Sequence, residues 1–343
     1  MMNAYIRFMK EPLISILTPF KNTASFLPEC IESILNQSYT NWELLIIDDN
    51  STDSSYEIVT RYAAIEPRIK CLKNDGHGIL NALRLAFQNS NGPYITRMDS
   101  DDIMSLQKLE LMLNDLQTYG KSHIALGLVK YFSAAGIGDG YSKYEKWLNN
   151  LTKSGINYSE IYKECVIPSP CWMIHRDDLI TCDAFNPNNY PEDYDLTFRF
   201  YKHNMHCIPS QHVLHKWRDY NTRASRIDSN YAENHFLELK MRYFIELHFD
   251  ATRPLTIWGA GQKGKTIAKI LKEKEIPFYW ICDNPKKIGK HIYDIRLYNF
   301  EFLNQLQEPQ CIVSVANEMS QLEISNYFKS QNMHSMKDFF FFC

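Results

Sequence analysis

The chain has 343 residues, 45% of them hydrophobic and 22% charged, and a formal net charge of −3. That length suits a large domain followed by a smaller one. No stretch approaches the roughly 18 consecutive apolar residues of a membrane-spanning helix, and the absence of a broad basic field argues against nucleic acid as a partner. The nine cysteines are scattered, odd in number and without C-x-x-C spacing, so they read as reduced thiols. The opening "MMNAYIRFMK" lacks the apolar core of a secretory leader, which points to a cytosolic chain.

In chain order, "LISILTPF" (13–20) is a short β-rich run ending at Thr18-Pro19, and apolar residues at helical spacing from Phe26 to Leu35 follow it. "WELLIIDDNSTDSS" is a strand stopped by Asp48-Asp49-Asn50-Ser51, with Ser51, Thr52 or Asp53 suited to cap a helix over about 54–64. "RIKCLKN" is a third strand leading through Asp75-Gly76-His77-Gly78 into a helix near 79–90, and "PYITRM" is a fourth. Strands alternating with helices at this pace predict an α/β fold, a mainly parallel sheet with helices on both faces. Ligands of such sheets sit outside the carboxyl ends of the strands, where Thr18, Asp49, Asp75 and Asp99 fall.

The fourth strand runs into "DSDD". Asp99 and Asp101, one residue apart at a strand end, can turn toward a single hard cation such as Mg²⁺ or Mn²⁺, whose remaining positions a diphosphate would fill. The alternative is a solvated turn with Asp102 capping the next helix.

The segments "ISILTPFKNTASFLPECIESILNQSYTNWELLIIDDNSTDSS", "GILNALRLAFQNSNGPYITRMDSDD" and "YPEDYDLTFRF" together resemble family 2 glycosyltransferases of the GT-A fold, over roughly residues 12–227. The resemblance implies that Thr18, Pro19 and Asp49 hold the base and ribose of a nucleotide-sugar donor, uridine fitting best. It implies that Asp99 and Asp101 are the D-x-D signature, Asp99 toward the ribose and sugar and Asp101 toward the metal. Arg97 faces the donor sugar or pairs with a nearby carboxylate. In the Glu192-Asp193 pair it gives Asp193 the role of general base and Glu192 that of a neighbour orienting acceptor or donor. Pro191 places both acids in the first turn of a helix, whose positive end is expected to keep Asp193 ionised. The implied reaction is metal-dependent transfer with inversion onto a glycan or lipid-linked acceptor of surface polysaccharide assembly, at or near the inner face of the membrane.

"LHKWRDYNTRASR" (214–226) looks like the family's basic segment, with Arg218 the strongest phosphate contact and Arg223 and Arg226 alternatives to a solvated loop. Asp219-Tyr220 stand where the family places a histidine, leaving His215 or Asp219 as third metal ligand. The pairs His203/His206 and His212/His215 have the i, i+3 spacing of a helix face, and packing roles suit them better than zinc.

At "ATRP" (251–254) the strand–turn–helix cycle restarts, dividing the chain into a GT-A domain over 1–250 and a small Rossmann-like domain over 251–343. "IWGAGQKGK" carries G-x-G-x-x-G at Gly259, Gly261 and Gly264, with Asp283 after the next strand, so nucleotide binding competes with structural use or assembly into oligomers. The tail "DFFFFC" reads as a buried terminal strand, with a peripheral membrane contact as the alternative.

Overall fold

The computed structural model describes residues 11–134, 136–221, 223 and 233–343. The chain divides into two compact units, Met1–Asn157 with Ile167–Arg223, and Tyr158–Val166 with Ala224–Cys343.

The first unit opens with the alternation expected from the sequence: β1 (Ile14–Phe20), α1 (Leu27–Leu35), β2 (Trp42–Asp48), α2 (Ser55–Ile65), β3 (Ile69–Lys73), α3 (Ile79–Gln88) and β4 (Tyr94–Arg97). It continues with β5 (Ile103–Met104), α4 (Lys108–Tyr119), β6 (His123–Leu126), β7 (Leu128–Phe132), α5 (Asp139–Ser154), β8 (Trp172–His175), α6 (Arg176–Thr181), α7 (Glu192–Lys202), β9 (His206–Ile208) and β10 (Val213–Arg218). Seven strands form one sheet in the order β3-β2-β1-β4-β8-β6-β9, and β5-β10-β7 form a second. The first four strands pair in parallel, and the antiparallel β8 makes the sheet mixed. Every residue of β1 and β2 is buried, as strands covered on both faces must be. Ile14, Ile16, Leu44 and Ile46 share one core with Leu27, Cys30, Ile31 and Ile34 of α1.

The chain leaves β1 for β2 on one side and returns to β4 on the other, so the order reverses between β1 and β4. That reversal is where such sheets leave a crevice. β1 and β4 pair only as far as Leu17 and Arg97, while β1 and β2 continue to Phe20 and Asp48. Pro19, with no N–H to give a ladder, lies in the stretch where β1 has only β2 beside it.

In the second unit, α8 (Glu233–Leu247) precedes β11 (Leu255–Trp258), α9 (Gln262–Glu273), β12 (Tyr279–Ile281), β13 (His291–Ile292), β14 (Ile295–Tyr298), β15 (Gln310–Val313), α10 (Glu318–Ser330) and β16 (Phe339–Phe341). The sheet order is β13-β14-β12-β11-β15-β16, parallel except for β13. The division falls at Arg223 and Ala224, ahead of the expected boundary at 250. The reason is apolar: Phe244 of α8 meets the rings of Tyr162, Phe340 and Phe342 edge-on, with its centroid 5.0 Å from that of Phe340. The tail is a strand as expected, with Phe339, Phe340 and Phe342 buried.

The glycine-rich turn joins β11 to α9. Gly259 has φ +121°, and a Cβ on Gly264 would lie 2.1 Å from the Gly259 carbonyl oxygen, so these two glycines are required for the helix to close on the strand. Asp283, the acid of the glycine-rich motif, accepts a hydrogen bond from Trp258 Nε1 at 2.7 Å. Gly264→Ala is expected to cost about 1–3 kcal/mol through overpacking, measured as a lowered denaturation midpoint for the second unit. An unchanged midpoint would show that the turn yields freely.

Candidate functional site

At the open end of β1, Thr18 is fully buried and its Oγ1 has no hydrogen-bond partner among the described residues. Across from it, Asp48 turns back to accept from the Ser51 N–H at 3.0 Å, a local turn contact. Asp49 reaches outward. Its Oδ1 accepts from Asn74 Nδ2 at 2.7 Å and from the Gly78 N–H at 2.9 Å, and Lys21 stands 3.8 Å from its Oδ2. Asp49 therefore anchors the turn that opens α3, where Gly78 has φ +89°. His77 of the same turn lies 3.3 Å from Asn50.

The acidic loop after β4 is held from α1 as well as from β10. Cys30 Sγ meets the Asp99 carbonyl at 3.6 Å, and Thr23 donates to Ser100 at 3.1 Å. Burial pushes the Cys30 thiol pKa up, with the loop's carboxylates adding to the effect, so it stays protonated. Arg218 Nε donates to the Asp101 carbonyl at 2.7 Å, and its guanidinium lies between the rings of Phe26 and Phe132 at 4.9 and 4.5 Å. Asp101 is 9% exposed, and burial together with Asp102 and Asp99 pushes its pKa up to about 7. The Tyr220 hydroxyl donates to Asp101 Oδ2 at 2.8 Å, with its ring against Phe26.

The two acidic constellations, far apart in the chain, meet on one guanidinium. Arg97 Nε lies 2.9 Å from Asp99 Oδ1 and its NH1 lies 3.1 Å from Glu192 Oε1, with the arginine itself 5% exposed. The sequence left Arg97 between a donor-facing and a carboxylate-pairing role, and it pairs with two carboxylates. Glu192 and Asp193 open α7 as expected, after Pro191 at the cap. Asp193 is not held ionised by the helix, because burial and the adjacent Glu192 push its pKa up to about 7. Its Oδ1 accepts from the Tyr194 N–H. Asp195, one turn away from neither role, is committed to Arg199 at 2.8 Å and to Asn189 at 3.0 Å.

Beneath the loop, Asp102 is wholly buried. It accepts from the Arg218 N–H at 2.7 Å and pairs with His215 Nε2 at 2.9 Å. Burial drives His215 well below the usual imidazole pKa and lifts Asp102 to about 8, so both favour their neutral forms. His215 thus braces the loop instead of completing a cation shell, and Asp219 is buried with its N–H on the Phe132 carbonyl. Neither histidine pair shares a helix face: His203 caps α7, His206 is in β9 and His215 in β10. Among the described residues no group of three or more His, Cys, Asp or Glu side chains is arranged to hold a metal. Arg226 lies outside the described residues.

Sequence reasoning missed Lys108 and the contact of Tyr220, and it offered Arg223 only for phosphate or a solvated loop. Lys108 is fully buried, donates to the Pro170 carbonyl and faces Asp102 and Asp99 electrostatically. Tyr220 sits on Asp101, and Arg223, 9% exposed, faces Asp101 and Asp102 from above the Trp217 ring at 5.0 Å. A lysine in the first turn of α4 reads as solvated in a sequence; only the fold shows it facing inward.

Residues 15–182 match the family model for glycosyl transferase family 2. The chain is 29% identical over 239 residues to a chondroitin synthase of Escherichia coli, an overlap of 66% of this chain and 32% of that one. It is also 29% identical over 250 residues to the Escherichia coli UDP-Glc:alpha-D-GlcNAc-diphosphoundecaprenol beta-1,3-glucosyltransferase WfgD, covering 68% of this chain and 85% of the other. The chain thus spans about a third of the first relative and most of the second. Among solved structures it is similar to S. aureus TarS 1-349 in complex with UDP-GlcNAc, with a TM-score of 0.55 at 17% identity over 75% of this chain and 71% of that one, a likeness of fold. The first unit belongs to glycosyltransferase family 2 and has the GT-A fold.

Proposed function

We propose that the chain transfers a sugar from a uridine diphosphate donor to a glycan or lipid-linked acceptor in surface polysaccharide assembly, with inversion and with the help of Mg²⁺ or Mn²⁺. The observation that carries the reading is the pair of contacts made by Arg97, which joins the acids at the end of β4 to the Glu192–Asp193 pair at the start of α7. Donor-side and acceptor-side carboxylates thereby flank one crevice at the β1/β4 reversal. The names of two similar proteins, one acting with UDP-Glc and one bound to UDP-GlcNAc, support the uridine donor. Chondroitin synthase and an enzyme acting on a diphosphoundecaprenol-linked sugar support the acceptor class.

The donor set suits a hard cation. Asp99 and Asp101 supply only oxygens, and the crowding of Asp101 by Asp99 and Asp102 is relieved by positive charge. Asp99 and Asp101 would hold the ion, which would neutralise charge building on the departing diphosphate. No third protein ligand is assigned, so water and phosphate would complete the shell.

The chain's own residues do the rest. Thr18, Pro19 and Asp49 line the base and ribose end, where the unpartnered Thr18 hydroxyl awaits a hydrogen bond. Asp193 accepts the proton of the acceptor hydroxyl as its oxygen bonds to the anomeric carbon, and the carbon–phosphate oxygen bond breaks with its electron pair leaving on the nucleoside diphosphate. Arg97 pairs with both Glu192 and Asp99 and stands between them. Arg218, engaged with Glu29 and the Asp101 carbonyl, steadies the loop and stands ready for phosphate. In the second unit, Gly259, Gly261, Gly264 and Asp283 are assigned structural use, supported by the packing of two glycines and the bond from Trp258 to Asp283.

Two tests follow from these roles. A base lifted to about 7 is mostly protonated below that pH. Initial-rate measurements are therefore expected to show kcat/KM falling about tenfold per pH unit on the acid side of 7, and Asp193→Asn losing at least about 10²-fold in kcat. A flat acid limb with an active Asp193→Asn would remove the base. In thermal-shift measurements, UDP with Mn²⁺ is expected to stabilise the wild type more than UDP alone. Asp101→Ala should abolish the metal-dependent increment, whereas Tyr220→Phe, which frees Asp101 Oδ2, should enlarge it. An undiminished increment in Asp101→Ala would exclude that residue from cation binding.

A further inference from the structure

Ser169 lies in the segment between two prolines ahead of β8, is 6% exposed, and its hydroxyl is buried with no hydrogen-bond partner among the described residues. A hydroxyl taken out of water and left unpaired carries a desolvation cost that folded proteins rarely leave standing. Ser169 borders a small pocket of about 10 Å³ that Arg97, Glu192, Asp193 and Thr197 also line. Trp172 and Phe200 wall it off on the apolar side. That volume is close to the minimum, roughly 10–15 Å³, that admits a single water, and a buried water needs two to four polar partners of the kind gathered here. A sugar ring is far too large for it.

We propose that Ser169 is a positioning residue for the Glu192–Asp193 pair: its hydroxyl holds one buried water molecule, through which it hydrogen-bonds to the carboxylates. The water satisfies the serine hydroxyl, fills the void, and fixes the orientation in which the carboxylates face the crevice. Thr197 helps to fix the same turn, donating from Oγ1 to the Asp193 carbonyl at 2.9 Å. Ser169 does not touch substrate in this arrangement and acts through the pair. The functional half of the inference rests on Asp193 as the base; the water itself does not.

The test uses the full chain and two substitutions. A high-resolution crystal structure of the wild type is expected to show one ordered water within hydrogen-bond distance of Ser169 Oγ and of Glu192 or Asp193. Ser169→Ala removes the hydroxyl, and Ser169→Thr keeps it while its added methyl occupies the water's place. Both are expected to lower kcat about tenfold, the scale of one hydrogen bond near the reacting groups, with donor KM within about twofold of wild type. Both should also displace the acid limb of the pH profile. Arg97, Glu192 and Asp99 face Asp193 unchanged in both variants, so the displacement reports the water. A dry cavity in the wild type, or Ser169→Thr behaving as wild type in kcat and pH limb, would overturn the proposal. Asp193→Asn separates the two readings: an active Asp193→Asn with the water present sinks the base and leaves the water standing, whereas an inactive one with a dry cavity does the reverse.

Discussion

The two ion pairs made by Arg97 are the constraint on which the site depends. Five carboxylates, Asp99, Asp101, Asp102, Glu192 and Asp193, stand in or under one crevice, and three of them, Asp101, Asp102 and Glu192, are at most 9% exposed. Removing one partner from a buried ion pair typically costs about 3–5 kcal/mol, since the other charge is left without compensation. Arg97 is therefore fixed by both neighbours, and both are fixed by it. Because β4 delivers Arg97 and α7 delivers Glu192, the pair also sets the distance between the sheet end and the helix start.

Two effects compete at Asp193, and magnitude decides between them. The positive end of α7 favours the ionised carboxylate by about 0.3–2 kcal/mol. A rise in pKa from the usual 3.8 to about 7 corresponds to roughly 4 kcal/mol against the charged form. Burial beside Glu192 outweighs the helix, and the result is a carboxylate more basic than an exposed one. Burial prevails at Asp102 as well, lifting its pKa to about 8, and its hydrogen bonds with His215 and the Arg218 N–H fasten β10 to the acidic loop.

Most of the first unit was legible because its signals are local. Strand-length apolar runs ending in Asp, and apolar residues at helical spacing behind them, place β1 to β4 and α1 to α3 within a few residues. The ordered motifs "LTPF", "DDNS", "DSDD" and "PEDYD" were enough to suggest one crevice. What stayed hidden depends on contacts between distant segments. Lys108 and Tyr220 look like solvated residues until α4 and the end of β10 are brought to the loop. The unit boundary was placed at 251–254, where the strand pattern resumes, because nothing local says that Phe244 packs with Tyr162 and the terminal phenylalanines. The histidine spacing misled for a related reason: periodicity at i, i+3 has meaning only on a helix, and residues 206–218 are mostly extended.

The distribution of positive charge around the acidic loop carries a last consequence. Lys108 from below, Arg223 from beside and the Tyr220 hydroxyl on Asp101 each take up part of the negative potential of Asp99, Asp101 and Asp102. Lys108 is sealed in the core, where its Nζ donates to the Pro170 carbonyl and burial lowers its pKa against the pull of Asp102 and Asp99. Tyr220 and Arg223 stand at the end of β10, the last described part of the first unit, and their contacts run to the side chains of the loop, not to its backbone. The fold thus braces the acidic loop from two sides, by a buried lysine at the start of α4 and by groups at the end of β10.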